Sequence, residues 1–171
     1  MPGNVRVLAG VELDPRLPPP VAGMDYEPNM LKPGTENNVW SHWNGYQAEL
    51  RSANEIANTA DQQVLKYGDK IGLHGADIIS VDVKTGDVSF WDSKYRSNPA
   101  GIKNSPTFSG STTRENALEE AKIVIMNSEL PDAIKYIALD NMNKKNFSAN
   151  TLGHGAAKNS TTIKYCNGKE C

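Results

Sequence analysis

Asp77, Asp92 and Lys94 are the residues of this chain best placed to do chemistry together. Ile78–Val83 and Val88–Tyr95 have the composition of strands, and Lys84-Thr85-Gly86-Asp87 between them is a turn signal, which predicts a β-hairpin. Residues two apart in a strand share a face, so Asp92 and Lys94 project with Val88 and Phe90, while Ser89, Trp91, Ser93 and Tyr95 take the other side. With Thr85-Gly86 as a two-residue turn, Ile79 is expected opposite Asp92 and Asp77 opposite Lys94, all on one face. A slip of one residue would carry Asp77 to the other face. Two carboxylates so placed can hold a divalent cation such as Mg2+. The cation polarises a phosphoryl oxygen and lowers the pKa of water. A lysine beside them can orient or deprotonate that water, or offset charge developing on a phosphate.

Such a hairpin needs elements to hold it. Tyr46 to Asp61 lacks Pro and Gly and carries Leu50, Ala53, Ile56, Ala57 and Ala60 at helical spacing, so a helix with one buried stripe is expected. Glu49 projects from the edge of that stripe and is the candidate third carboxylate; Glu55, off that face, is its rival. Ser97–Ser111 has loop composition, and Thr112-Thr113-Arg114-Glu115 has the form of a capping box opening a second helix. Ala117, Leu118, Ala121, Val124 and Ile125 form its apolar face, and Pro131 ends it. Ala133–Leu139 is expected as a strand, Asn141–Ser160 as irregular, and Thr161–Tyr165 as a last edge strand. The sum is an α/β fold, a small mixed sheet with flanking helices.

Composition bounds what surrounds this core. Seven of the ten prolines fall in residues 1–33, so 1–40 is expected as a Pro-rich linker or arm and 41–171 as the domain. No stretch approaches the length of a membrane span. Net charge is −2, which excludes a strongly basic nucleic-acid binder, but the charge is uneven. Residues 1–93 hold 7 Lys and Arg against 13 Asp and Glu, and residues 94–171 hold 11 against 7, as suits a carboxylate metal site beside a phosphate-binding surface. Candidates for that surface are Arg96, Lys103, Ser105, Thr113, Lys144 and Lys145. Cys166 and Cys171 match no zinc spacing; a short disulfide and two free thiols are both open. His154 has the setting of a solvated loop histidine.

Gly75-Ala76-Asp77-Ile78-Ile79 followed by Phe90-Trp91-Asp92-Ser93-Lys94, after the helix headed by Ala48-Glu49, resembles the core of the PD-(D/E)XK nuclease superfamily. The resemblance covers about 45–95 by motif and 112–140 by element order, and Gly75 stands where many members have Pro. It implies a restriction-endonuclease-like core of helix, hairpin, helix and strand. By position it makes Asp77, Asp92 and the Ser93 carbonyl metal ligands, Lys94 the catalytic lysine and Glu49 the helical acid, with Mg2+ or another divalent cation as cofactor. The layout is also similar to the C-terminal nuclease toxin domains of contact-dependent growth inhibition proteins. That likeness implies a secreted or cell-surface-delivered toxin acting in the target-cell cytoplasm. It further implies a structured RNA substrate, transfer RNA above all, and a cognate immunity protein as partner. A DNA endonuclease of the same fold is the alternative within this class. A non-catalytic nucleic-acid or protein-binding module on the same scaffold is the alternative from another class.

Overall fold

The computed structural model describes residues 5–28, 36–71, 75–94, 108, 110–153 and 156–171. Its first long element is α1 (Glu36–Ala57), which begins ten residues before the expected Tyr46. Gly45 suggested a boundary, but one glycine costs a helix only about 0.5–1 kcal/mol relative to Ala, and the helix runs through it. Tyr46, Leu50, Ala53, Ile56 and Ala57 form its buried stripe.

The Pro-rich segment before α1 packs on the same cluster. β1 (Val7–Leu8) and β2 (Val11–Glu12) pair across Ala9-Gly10. Both turn residues have positive φ (49° and 77°), as a tight hairpin of this hand requires. Leu8, Leu13 and Leu17 are buried with the α1 stripe. Asn54 of α1 clamps the segment, accepting from Asp14 N at 2.8 Å and donating to Glu12 O at 2.8 Å.

The main sheet contains β3 (Gln62–Lys66), β4 (Ile78–Asp82), β5 (Val88–Lys94), β6 (Phe147–Gly153), β7 (Ala156–Cys166) and β8 (Lys169–Glu170), in that spatial order. All neighbours are antiparallel except β5 and β6, which are parallel. A parallel pair needs a crossover. Here it contains α2 (Ser111–Met126) and α3 (Asp132–Asn143). Among the described residues the fold is therefore mixed α/β, with three helices, a mixed six-stranded sheet and a small hairpin sheet. One face buries Ile79, Val81, Val88, Phe90, Phe147 and Ala149 under α2 and α3. The other packs Val64, Ile78, Leu152 and the edge of Trp91 against α1.

Four local expectations are corrected. Ala133–Leu139 is helical, not a strand: Ile134, Ala138 and Met142 face the core at a spacing of four, while Tyr136 is 75% exposed. Its β-branched and aromatic content suggested a strand, yet Pro131 at the N-cap and Asp132 in the first turn suit a helix start. The stretch 141–160 is not irregular but holds β6 and the start of β7. Polar Asn150 is tolerated in β6 because it donates to Phe90 O at 3.1 Å and accepts from Thr162 Oγ1 at 2.6 Å. The capping box is absent: α2 starts from Gly110 without a side-chain cap. Finally, β3 had no counterpart in the expected element order. A disulfide joins Cys166 to Cys171 across the β7–β8 turn.

Two glycines separate backbone need from helix propensity. Gly86 has φ +78° and lies where a Cβ would meet Ile137 Cγ2 at 2.6 Å and Cβ at 2.8 Å, whereas a Cβ on Gly45 meets nothing within 4 Å. Gly86→Ala is expected to destabilise the fold by about 1–3 kcal/mol. Gly45→Ala should stabilise it by about 0.5–1 kcal/mol. Urea denaturation of both variants checks the pair.

Candidate active site

The site is built at the end of the β4–β5 hairpin. Its register pairs Ile78 with Trp91, Ile79 with Phe90 and Val81 with Val88. The expected register was displaced by two residues, because the connection is longer than Thr85-Gly86. Asp82 Oδ1 accepts from Lys84 N at 2.8 Å and Thr85 N at 3.0 Å, and its carbonyl accepts from Gly86 N at 2.8 Å. An even displacement preserves the faces. Asp77 therefore lies across from Asp92 rather than from Lys94, at the point where the ladder ends.

That end is irregular, and the irregularity aims Asp77. Its N–H donates to Trp91 O at 3.0 Å, and its Oδ2 accepts from Ser93 N at 2.8 Å. A strand N–H points along the sheet toward its neighbour. The Asp77 carboxylate thus sits between β4 and β5 near the plane of the sheet, within reach of groups from both faces. Asp92, only 6% exposed, is within hydrogen-bonding reach of it. Lys94 Nζ pairs with Asp92 Oδ2 at 3.1 Å and keeps about a third of its side chain exposed. On the opposite face Trp91 Nε1 donates to Ser80 Oγ at 2.9 Å, leaving the indole to pack toward α1.

Glu49 approaches from α1. It is buried, and its Oε2 accepts from Gly68 N at 3.1 Å. Burial, reinforced by the charge of Asp77, pushes its carboxyl well above the usual range; Lys66 and the Gly68 hydrogen bond oppose the shift only in part. Burial also raises Asp77, joined by the charge of Asp92, to about 7 despite the Ser93 N–H bond. Glu55 lies elsewhere, on a recess with Glu12, Asp14 and Asn58.

Three residues here had no part in the sequence reading. Lys66 is 5% exposed, and its Nζ contacts Ala76 O at 2.5 Å, Glu120 Oε1 at 2.7 Å and Asp69 Oδ2 at 3.6 Å. A bulge between Val64 and Lys66 brings Lys66 opposite Ile79 and onto the α2 side. The only available signal was a lysine ending an apolar strand, Val64-Leu65-Lys66-Tyr67, where a buried ammonium would need acidic partners.

The expected substrate residues divide. Arg96, Lys103 and Ser105 lie outside the described residues. Thr113 is in the first turn of α2, Lys144 pairs with Asp140 at 2.7 Å, and Lys145 pairs with Glu115 at 2.9 Å. All three lie toward the opposite end of the sheet from the carboxylates. Asp92 aligns with Thr151, whereas Lys145 precedes the start of β6 at Phe147. At about 3.3 Å per residue, the strand alone separates the two ends by roughly 13 Å.

Among the described residues, no group of three or more His, Cys, Asp and Glu side chains is arranged to hold a metal ion. The donors brought together here are the Asp77 and Asp92 carboxylates. Two acids in contact call for a proton or a cation between them, and an all-oxygen set suits a hard ion such as Mg2+. No family model matches the chain, and no curated protein or solved structure is significantly similar to it.

The raised Asp77 pKa has a definite sign. Its proton is held more tightly folded than unfolded, so its contribution to stability is complete below its ordinary value of 3.8 and lost as pH rises through about 7. In a chelator, the stability of the wild type relative to Asp77→Asn should fall between those limits and level off above. At pH 8 a divalent cation at a hundredfold excess over Kd should raise the wild-type Tm by about 5–10 °C, with no comparable rise for Asp77→Asn. A stability difference that stays flat from pH 4 to 8 would show that the Asp77 carboxyl is not held above its ordinary range.

Proposed function

We propose that this chain is a metal-dependent nuclease of the PD-(D/E)XK type that hydrolyses phosphodiester bonds. The observation that carries the reading is the placing of Asp77 across from Asp92 at the end of the hairpin, its carboxylate held by Ser93 N at 2.8 Å and within hydrogen-bonding reach of Asp92, with the Lys94 ammonium 3.1 Å from Asp92. The order of elements supports it: α1 bearing Glu49, a hairpin bearing Asp77 and then Asp92-Ser93-Lys94, a helical crossover, and β6 parallel to β5.

Asp77, Asp92 and the Ser93 carbonyl would hold the ion. When bound, a divalent cation supplies Lewis acidity toward a phosphoryl oxygen and lowers the pKa of water. The protein groups do the rest. Asp77 is oriented by Ser93 N–H, and Asp92 by Lys94. Lys94, partly open to solvent, orients the attacking water and offsets negative charge as the P–O bond to the leaving group breaks. Glu49, held by Gly68 N–H beside Asp77, would help orient the groups that hold the ion.

Structured RNA, transfer RNA in particular, is the proposed substrate, and delivery into a target cell with a cognate immunity protein as antagonist is the proposed setting. Both rest on the likeness to growth-inhibition toxins. Among the described residues, no helix is long and apolar enough to cross a membrane.

The test offers total cellular RNA, duplex DNA and single-stranded DNA to the purified protein, with and without Mg2+. Cleavage of RNA only with the ion is expected, and Asp92→Ala and Lys94→Ala should each reduce it by about 10²–10⁴-fold while melting cooperatively. Cleavage of DNA alone would redirect the reading to a DNA endonuclease. Failure to cut any of the three substrates in an ion-dependent way that both variants abolish would sink the enzymatic reading.

A further inference from the structure

We infer that Lys66 is a positioning residue that acts as the resident second cation of the acidic cluster, so that the site takes a single divalent ion. This rests on the metal-dependent reading above. Lys66 Nζ sits in a cage of oxygens from three parts of the chain: Ala76 O at 2.5 Å, Glu120 Oε1 of α2 at 2.7 Å, and Asp69 Oδ2 at 3.6 Å. Only 5% of the residue is exposed. A buried ammonium is tolerated when acids and carbonyls replace its water. Carboxylates and a backbone carbonyl are also the donors that a hard divalent ion takes. The lysine thus fills a position that another ion would otherwise use.

Its partners tie that charge to Asp77. Ala76 immediately precedes Asp77, so the ammonium fixes the backbone from which Asp77 reaches Ser93 N and Asp92. The same charge opposes the upward shift of both Glu49 and Asp77. Among the described residues, Glu49, Asp69, Asp77, Asp92 and Glu120 are gathered here against two ammoniums, Lys66 and Lys94. One divalent ion brings that set close to neutrality. A second ion would have to approach Lys66 at contact distance, where like charges repel.

Counting bound Mn2+ on the full chain at pH 8, by isothermal calorimetry and by electron paramagnetic resonance of the free ion, tests this. The wild type should bind one ion. Lys66→Met should bind two, because the cage of Asp69, Glu120 and Ala76 O is vacated. Lys66→Arg, which keeps the charge, should return the count to one. Glu120→Gln should retain one ion, since Glu120 holds the lysine and not the metal. Two ions on the wild type, one ion on a cooperatively melting Lys66→Met, or loss of the ion in Glu120→Gln would each overturn the assignment. Should Lys66→Met fail to fold, the wild-type and Glu120→Gln counts still decide. Two wild-type ions with Mg2+-dependent cleavage would remove this inference alone. No ion at all would remove it together with the nuclease reading.

Discussion

Everything at this site follows from two aspartates being forced together at the open end of a hairpin. Asp77 and Asp92 come within hydrogen-bonding reach although each, when ionised, repels the other. The repulsion is carried by the rest of the fold. On one face Ile79, Val81, Val88 and Phe90 lie under α2 and α3, and on the other Ile78 packs with the α1 stripe. These contacts fix the register to within one residue, because a slip would exchange the two faces of the whole hairpin. At about 25 cal/mol per Å² of buried apolar surface, such packing outweighs the repulsion of one acid pair many times over. The close pair of acids therefore survives folding, and Asp77 holds its proton up to about pH 7.

The conflict is also shared by more than two groups. Asp77 lies near the plane of the sheet, so it couples to Glu49 on the α1 side as well as to Asp92. The Lys66 bulge and the Glu120 ion pair reach the same place from α2. The two hydrophobic layers thus meet electrostatically at the one point where the β4–β5 ladder ends. Removing a single partner from such a cluster leaves a buried charge uncompensated, which costs more than the pair contributes when intact.

What the sequence disclosed and what it withheld follow from period and parity. Alternation in Val88–Lys94 put Asp92 and Lys94 on one face, and an even error in register left Asp77 with them. The length of the connection was hidden because it depends on Asp82 capping two backbone N–H groups, a tertiary choice that Thr85-Gly86 does not announce. Glu49 was legible because helical spacing placed it at the edge of a buried stripe. Lys66 was not, since a bulge changes parity: simple alternation would leave it on the face of Val64, yet it stands opposite Ile79. α3 was misread because Ile and Tyr favour strands, while its burial at positions 134, 138 and 142 emerges only once α2 and the sheet are in place. β6 was hidden by Asn150 and Thr151, polar residues in a buried strand; the Asn150 amide is satisfied by Phe90 and Thr162.

The charge balance of the cluster bears on how a nucleic acid could approach it. Among the described residues, the acids around Asp77 and Asp92 outnumber Lys66 and Lys94, and a phosphodiester brings further negative charge. Lys144 and Lys145 offer no relief there. They stand at the other end of β6, and each is already paired with an acid of its own. On the proposed reading, cation and substrate therefore bind with positive coupling. The ion lowers the electrostatic cost of bringing in the phosphate, and by linkage the phosphate tightens the ion by the same factor. Among the described residues, Lys94 is the cation positioned to share that task, since it touches Asp92 while retaining solvent exposure. On that reading the ion pair restrains Asp92, and the Lys94 ammonium would be free to face the scissile phosphate where a divalent ion was held by that acid.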